Sequence, residues 1–501
     1  MTDTEIKQED SKMVEEIPDI EDDFSAWYND VVQRAKLADY SPVRGSMVIR
    51  PYGYGLWENM RDHLDRRIKD SGCENAYFPL FIPLSFLQKE AEHVEGFAPQ
   101  VALVTEAGGE KLTEPLVVRP TSEAIICYMY SQWVQSWRDL PILINQWANV
   151  VRWEKVTRLF LRTAEFLWQE GHTCHATLDE AEERTIEMLN VYNDFAHQDL
   201  AIPTVMGRKS ESEKFAGALR TYTIEALLQD GKALQSGTSH NLGDHFARAF
   251  DIQFLNKSNV REYAYSTSWG LSTRMVGGLI MTHGDANGLV LPPKVAPVQA
   301  IIIPIWRKEG EREAVMNMVD EVEKLLKAAG VRVKVDRDEE HTPGWKYAEY
   351  ELRGVPLRLE IGPKDVEKNS VMVVRRDNRA KQPIAKAELA TAIPALLTQF
   401  QAEMYQRAMQ RRDAETRTVA SYEEFKQIIA DKRGFVDCWW DGSDETEAAI
   451  KAETKATIRC IPLQWLDSAD ADHAGGEAGA PQPDIYSGQP GRYRVLYARS
   501  Y

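Results

Sequence analysis

A chain of 501 residues is too long for one compact core at roughly 100 to 200 residues per domain, so several folded units are expected. With 43% hydrophobic, 9% aromatic and 27% charged residues it has the composition of an ordinary globular protein. No apolar run approaches the roughly 20 residues that cross a bilayer, and the opening MTDTEIKQED lacks the basic and apolar regions of a secretory leader, so membrane and secreted classes are not expected.

Residues 1–20 are acidic and almost free of aromatics, which predicts a disordered tail. They also bear on the net charge of −17: residues 1–23 hold ten acids against two lysines and supply −8 of it, so the remaining −9 leaves room for basic patches such as VVRRDNRAK and for a phosphate-bearing partner. The first folded unit begins near DDFSAWYNDVVQRAKLAD and runs to about 295. In GYGLWENMRDHLDRRIKDSG, Leu56, Met60, Leu64 and Ile68 recur every four residues, an amphipathic helix ended by Gly72. NAYFPLFIP reads as a strand entering a proline-bounded loop, SEAIICYMYSQWVQSW as an apolar helix, and LDEAEERTIEMLNVYNDFAHQDL as a long helix opened by a Thr177-x-x-Glu180 capping box. Strands rich in Val, Trp and Phe are expected around 142–154, 161–170 and 273–283. This mixture predicts a mainly antiparallel sheet with helices packed on it.

Four prolines in GLVLPPKVAPVQAIIIPIW mark a linker, after which strand, helix, strand, helix, strand, strand over about 297–400 predict a small separate α/β unit. IPALLTQFQAEMYQRAMQRRDAETRTV is helical, SYEEFKQIIADKRGFVDCWW begins a third unit within 401–501, and DSADADHAGGEAGAPQPDIYSGQPG is expected to be a flexible loop. The five cysteines are few, odd in number and without a CxxC spacing, which suits a reduced, cytoplasmic setting.

Between 149 and 172, NVVRWEKVTRLFLRTAEFLWQEGH sets Arg152, Glu154, Arg162 and Glu165 among large apolar side chains. Alternation points Arg152 and Glu154 to one face; past the loop KVTRLF, Arg162, Ala164 and Phe166 share a face of a hairpin, opposite Thr163, Glu165 and Leu167. A salt-bridged hairpin would explain this, yet buried ion pairs stabilise poorly because desolvation offsets the Coulomb gain. A phosphate ligand explains it as well: a guanidinium fork donates two parallel bonds and stays charged when desolvated, and Phe166 could stack on a purine.

Three other stretches fit a ligand. RPTSEAI places Thr121 and Glu123 where a hydroxyl and a carboxylate could hold an ammonium; QSGTSHNLG offers Gln235, Thr238 and His240; STSWGLSTRMVGGLIMTHGD runs Arg274 into a Gly-rich helix. Each has a plainer reading: a helix cap for Thr121, a core histidine for His240, a surface arginine for Arg274.

The order of these stretches resembles motifs 1, 2 and 3 of class II aminoacyl-tRNA synthetases: PYGYGLWENM…NAYFPLFIP, NVVRWE…FLRTAEFLWQEGH and TSWGLSTRMVGGLIMTHGD. PTSE, FLWQEGHT, GKALQSGTSHNLG and RAFDIQF are similar to the prolyl-tRNA synthetases of class IIa, of the type shared by archaea, eukaryotic cytoplasm and some bacteria (type 3), and the likeness runs from about 21 to 465. The resemblance implies a catalytic domain over 21–295 with the class II antiparallel sheet, an α/β anticodon-binding domain over 297–400, and a small α+β C-terminal domain over 401–501. It implies a proline–tRNA ligase that forms prolyl-adenylate from ATP and proline and passes proline to tRNA(Pro), acting as a cytoplasmic homodimer with Mg²⁺ accompanying ATP. By motif, Arg152 meets the ATP α-phosphate and Arg274 other phosphate oxygens, as the catalytic residues. Glu154, Arg162, Thr163 and Phe166 surround the nucleotide, and Gln235, Thr238 and Ser272 add contacts to ATP or Mg²⁺. Thr121, Glu123, Arg152 and His240 surround proline, and Glu351, Arg358, Lys364 and Asp365 read the anticodon guanines. One arginine bridging two anions would lessen their repulsion and fix their alignment.

The sequence departs from the family at its C-terminal zinc site. Asp441 and Thr446 occupy the first two cysteine positions, no later CxxC follows, and structural zinc takes four N or S ligands, so no zinc is expected and the domain should be held by packing. The terminal YARSY keeps the family's aromatic ending. About 100 residues separate motifs 2 and 3, leaving no room for a large inserted editing domain. A synthetase paralogue that binds without catalysis would tend to lose Arg152, Glu154 and Arg274, which are intact; a threonine, histidine or glycine enzyme fits PTSE with GTSH less well.

Overall fold

The computed structural model describes residues 17–93, 101–431 and 434–501. The expected acidic tail lies outside the described residues up to 16, while Ile17 and Ile20 at its end pack against the main core. Helix Pro51–Asp70 buries Leu56, Met60, Leu64 and Ile68 on one stripe and ends before Gly72, whose φ of +86° is the left-handed value that stops a helix. Helix Leu178–Asp194 opens with the Thr177/Glu180 capping box.

Among the described residues the largest sheet has eleven strands. Its centre runs antiparallel through Arg220–Leu227, Ala233–Gly243, Tyr265–Ser272, Glu165–His175 and Ile142–Val151. Side chains alternate across it. Tyr222, Ile224, Leu234, Trp269 and Leu271 join the main core with Tyr192 and Met275, whereas Thr221, Gln235, Ser268 and Gly270 line a cavity. Gly171 cannot be replaced here without movement, since a Cβ would lie 2.0 Å from the Trp269 ring.

Three expected elements differ. Residues 273–283 are expected both as a strand and as the Gly-rich helix entered from Arg274, and they form the helix, Arg274–His283: Gly277 and Gly278 let it approach Leu161, Tyr28 and Leu234 closely, and a Cβ on either would come within 2.9 Å of those side chains. After the strand ends at Val151, residues 152–164 form a loop closed by paired backbone bonds between Arg158 and Arg162, so the second strand begins only at Glu165. NAYFPLFIP contributes to two short strands in different sheets, Glu74–Asn75 and Phe81–Pro83, because Pro79, which has no N–H, stands between them.

The α/β unit is a five-stranded sheet in which Ala300–Pro304 pairs parallel with Val333–Val335 and Leu357–Ile361, and antiparallel strands Ser370–Arg375 and Lys381–Ala385 complete it. Helix Leu389–Ala414 crosses the boundary expected at 400. The C-terminal strands Thr416–Thr418, Phe435–Trp440, Tyr493–Ala498 and Thr457–Pro462 continue the main sheet, joined to it where Ile461 and Pro462 pair with Arg208 and Gly207. The stretch 467–491 is irregular as expected but tied down: Arg208 donates to the carbonyls of Ala469 and Ala471, and Asp484 is buried.

Candidate active site

A cavity of about 250 Å³ opens on the polar face of the central strands. The structure brings nine of the sequence-selected residues to its wall: Thr121, Glu123, Arg152, Phe166, Gln235, Thr238, His240, Ser272 and Arg274. Three stand elsewhere. Glu154 and Arg162 pair with each other at 2.8 Å in the loop, Arg162 with 60% of its side chain exposed, and buried Thr163 turns its hydroxyl to the carbonyl of Glu165 at 2.7 Å. Glu165 is also exposed, so the charges of this stretch are less buried than alternation predicts, because the backbone leaves the sheet at Arg152.

At one end Thr121 donates a short hydrogen bond to Glu123. Beside them Glu170, His172, Trp168 and Phe215 line the wall, residues that sequence reasoning missed although WQEGH lay within a quoted motif. Their common signal was alternation: Trp168, Glu170 and His172 fall on one face of strand Glu165–His175. Glu170 accepts bonds from the Ser122 N–H at 3.1 Å, the Ser122 hydroxyl at 2.5 Å and Gln146 at 2.9 Å, and pairs with His172 Nε2 at 3.0 Å. Burial works against its ionisation, but the bonds and charge of His172 with those of Ser122 and Gln146 hold it below the usual carboxylate range. His172 is raised in turn: burial opposes its charge, and Glu170 and Glu123 outweigh burial. His240 is pushed the other way, to about 3, by burial and then by the charge of His172. It therefore stands neutral, bonded through Nδ1 to Thr221 at 3.0 Å and packed 4.7 Å from the Phe215 ring.

Arg152 Nε donates to the Pro120 carbonyl at 3.0 Å, and its guanidinium lies 5.5 Å and 5.2 Å from the rings of Phe166 and Trp168. Arg274 Nε donates to the Leu161 carbonyl at 3.2 Å. Burial lowers the pKa of both; for Arg274 the like charges of Arg152 and Arg162 add to it. Two guanidiniums that repel each other across a cavity make a site for a multiply charged anion, and the Thr121–Glu123 pair, with neutral His240 opposite, makes one for a small cation.

A second cleft, of about 100 Å³, lies in the α/β unit and contains Glu351 and Arg358 with Arg375, Arg376, Arg379 and Lys381. Lys364 and Asp365 are not on its wall; Asp365 caps helix Pro363–Lys368 by accepting from the Gly362 N–H at 2.9 Å.

Three family models match the chain: the tRNA synthetase class II core domain (G, H, P, S and T) over residues 105–283, the anticodon binding domain over 299–396, and the prolyl-tRNA synthetase C-terminal domain over 422–501. A proline–tRNA ligase of Natranaerobius thermophilus is 56% identical over 92% of this chain and 95% of its own, and one of Chlorobium luteolum is 54% identical over 98% and 100%. The crystal structure of prolyl-tRNA synthetase from Cryptosporidium parvum with halofuginone and AMPPNP superposes with a TM-score of 0.90 at 42% identity, covering 96% of each chain; another from that organism, with L-proline and AMP, gives 0.89 at 40%.

Proposed function

This chain belongs to the prolyl-tRNA synthetases, a family of class II aminoacyl-tRNA synthetases, and is a proline–tRNA ligase that uses ATP; from that premise we propose how its residues divide the work. Arg152 and Arg274 hold the triphosphate, Arg152 at the α-phosphate. The observation that carries this reading is the pair of buried guanidiniums, Arg152 and Arg274, on the wall of one cavity, where a polyphosphate would offset both their burial and their mutual repulsion. Phe166, already 5.5 Å from the Arg152 guanidinium, stacks on the purine, and Gln235, Thr238 and Ser272 add hydrogen bonds. Glu154, Arg162 and Thr163 lie off the cavity wall, so Glu154 and Arg162 reach nucleotide only if their mutual pair opens, and Thr163 acts by shaping the backbone at Glu165.

Thr121 and Glu123 face the secondary ammonium of proline, Arg152 its carboxylate, and His240 with Phe215 the ring. The proline carboxylate attacks the α-phosphorus and pyrophosphate leaves; a terminal ribose hydroxyl of tRNA(Pro) then takes the prolyl group and AMP leaves. The first step needs no general base because the carboxylate is already ionised. Gln235 and Thr238, whose neutral oxygens line the cavity, would help to hold a Mg²⁺ bound to the phosphates, where it would supply charge neutralisation. Exchange of pyrophosphate into ATP, measured with each amino acid in turn, tests the assignment; absent or proline-independent exchange overturns it.

Glu351 and Arg358 read guanine edges, with Lys364 and Asp365 as flanking contacts outside the cleft. Tyr40, Val43, Val48 and Tyr77, each more than half exposed, support a homodimer formed across the motif 1 region. The likeness over 96% of the chain to a eukaryotic enzyme supports the type 3 reading, and five free, buried cysteines support a reduced cytoplasm. In the C-terminal unit the Thr446 hydroxyl donates to Asp441 at 2.9 Å, and Ser487 does so at 2.7 Å, a hydrogen-bonded knot where the family resemblance puts zinc ligands; this supports a zinc-free domain. Between strands Glu165–His175 and Ala233–Gly243 the chain builds helix Leu178–Asp194 and two strands of the main sheet, which supports the absence of an inserted editing domain. Cysteine is close to proline in size, and since even a whole methylene distinguishes substrates by only roughly 1 to 3 kcal/mol, it is activated detectably and not cleared; rapid hydrolysis of cysteinyl-tRNA by the pure protein would contradict this.

A further inference from the structure

The cavity face of the central sheet carries a charged cluster that none of the roles above uses. Along strand Arg220–Leu227, Thr221, Thr223 and Glu225 alternate onto the same face, opposite His240, Thr238 and Gln235 on the neighbouring strand. Glu225 lies one step past Thr223 on this face, paired with Gln235 of the cavity wall. It is fully buried, as are Lys209 from strand-end residues after Arg208 and, at 6% side-chain exposure, Arg459 from the C-terminal unit. Arg459 donates from Nε to Glu225 at 3.1 Å and from a terminal nitrogen at 3.0 Å, and its other terminal nitrogen reaches Thr457 at 2.9 Å. Lys209 Nζ donates to Glu225 at 2.8 Å and to the Arg459 carbonyl at 2.8 Å, and the Thr223 hydroxyl donates to Glu225 at 3.0 Å.

This arrangement is costly if its purpose is stability. A buried ion cluster often stabilises no more than apolar residues of the same volume. Its position suggests another use. The C-terminal strand Thr457–Pro462 is drawn so close to the main sheet that a Cβ on Gly207 would lie 2.5 Å from the Cys460 Cβ, and that approach delivers Arg459 to Glu225. Glu225 is paired with Gln235, which shares a cavity wall with Arg274, and the helix begun by Arg274 packs at Gly278 on Leu234, the neighbour of Gln235; across this short span the charges of Glu225 and Arg459 bear on Arg274 in opposite senses. Without Arg459 this carboxylate, held only by Lys209 and the Thr223 hydroxyl, would be left to compete with phosphate for that guanidinium.

We propose that Arg459 is a positioning residue for ATP: with Lys209 it saturates Glu225, so that the guanidinium of Arg274 stays free for phosphate oxygens and the strand bearing Gln235 and Thr238 keeps its register. The C-terminal unit thereby completes the adenylation site without touching substrate. The cluster carries two cations against one anion, and the surplus positive charge also favours the triphosphate.

The inference rests on Arg274 being a phosphate ligand, and its test separates the two. In pyrophosphate exchange by the full-length protein, Arg459→Met is expected to raise the KM for ATP about tenfold and leave the KM for proline unchanged. Adding Glu225→Gln to it removes the released carboxylate, restores the cluster's net charge, and should return the KM for ATP to within about threefold of the parent. A merely structural role predicts the reverse: the double variant no better than the single, with proline and ATP affected alike. Should Arg459→Met fail to fold, Arg459→Lys and the double variant decide, since both keep the net charge. A KM for ATP raised in Arg459→Lys, which loses the fork, and near parental in the double supports the inference; equal values in the two overturn it. If Arg274→Ala leaves the KM for ATP unchanged, the phosphate reading itself fails; if that variant raises it and the Arg459 variants do not, this inference alone fails.

Discussion

Replacing Arg152 by alanine separates chemistry from folding. Among the described residues its guanidinium makes one hydrogen bond, to the Pro120 carbonyl at 3.0 Å, and two ring contacts beyond 5 Å. Such contacts contribute on the order of 0.5–1.5 kcal/mol each, and the repulsion of Arg274 that disappears is set against the attraction of Glu123, Glu170 and Glu154 that is lost with it. In the role proposed for it the same group bridges two anions in a buried site, and truncating one partner of such a pair costs about 2–5 kcal/mol. At about 1.36 kcal/mol per factor of ten this is roughly a 30- to 5,000-fold loss in pyrophosphate exchange. Exchange should be followed alongside a urea transition and filter binding of tRNA(Pro), both expected to change little. Exchange within threefold of the parent, or a loss matched by loss of folded protein or of tRNA binding, would refute the reasoning.

Arg358→Ala should lower kcat/KM for tRNA charging by roughly 10- to 100-fold, a bidentate base contact being worth about 1–3 kcal/mol, and leave exchange unchanged; a parallel fall in exchange would place Arg358 outside anticodon recognition. Acid should destabilise the protein early. His175, His240 and His283 titrate at about 4, about 3 and about 3 because burial disfavours their charged form. These folded values lie below the ordinary 6.5, so the stability they confer is complete above pH 6.5 and declines by about 1.4 kcal/mol per pH unit for each group as pH falls toward them. The urea midpoint should therefore drop between pH 6.5 and 5, with a shallower drop in His283→Gln; a flat profile counts against the buried neutral imidazoles. Elemental analysis after purification without added metal should find well under one zinc per chain, and one zinc per chain would end the zinc-free reading.

Local pattern carried the helices. The four-residue recurrence from Leu56 to Ile68 and the Thr177/Glu180 box each correspond to a helix with that buried stripe or that cap, because spacing along one element decides which face is apolar. At 273–283 it gave two readings, a strand and a Gly-rich helix, and the close packing that Gly277 and Gly278 allow against Leu161 and Leu234 belongs to the helix. It misled at Arg162 and Glu165, which alternation buries and the loop at 152–164 exposes.

The sequence alone determined the order of motifs, the three-unit plan and the types of residue that the cavity draws on, since each of these depends on neighbours in the chain. Only the tertiary structure decided which of them meet. Thr121, Arg152, His240 and Arg274 come from four segments and share one cavity because the strands are laid side by side in a particular register, and Glu170 and His172 become site residues by the same register. Arg459 reaches Glu225 across 234 residues of chain because two strands approach over a glycine, a contact set by packing rather than by any spacing along the sequence.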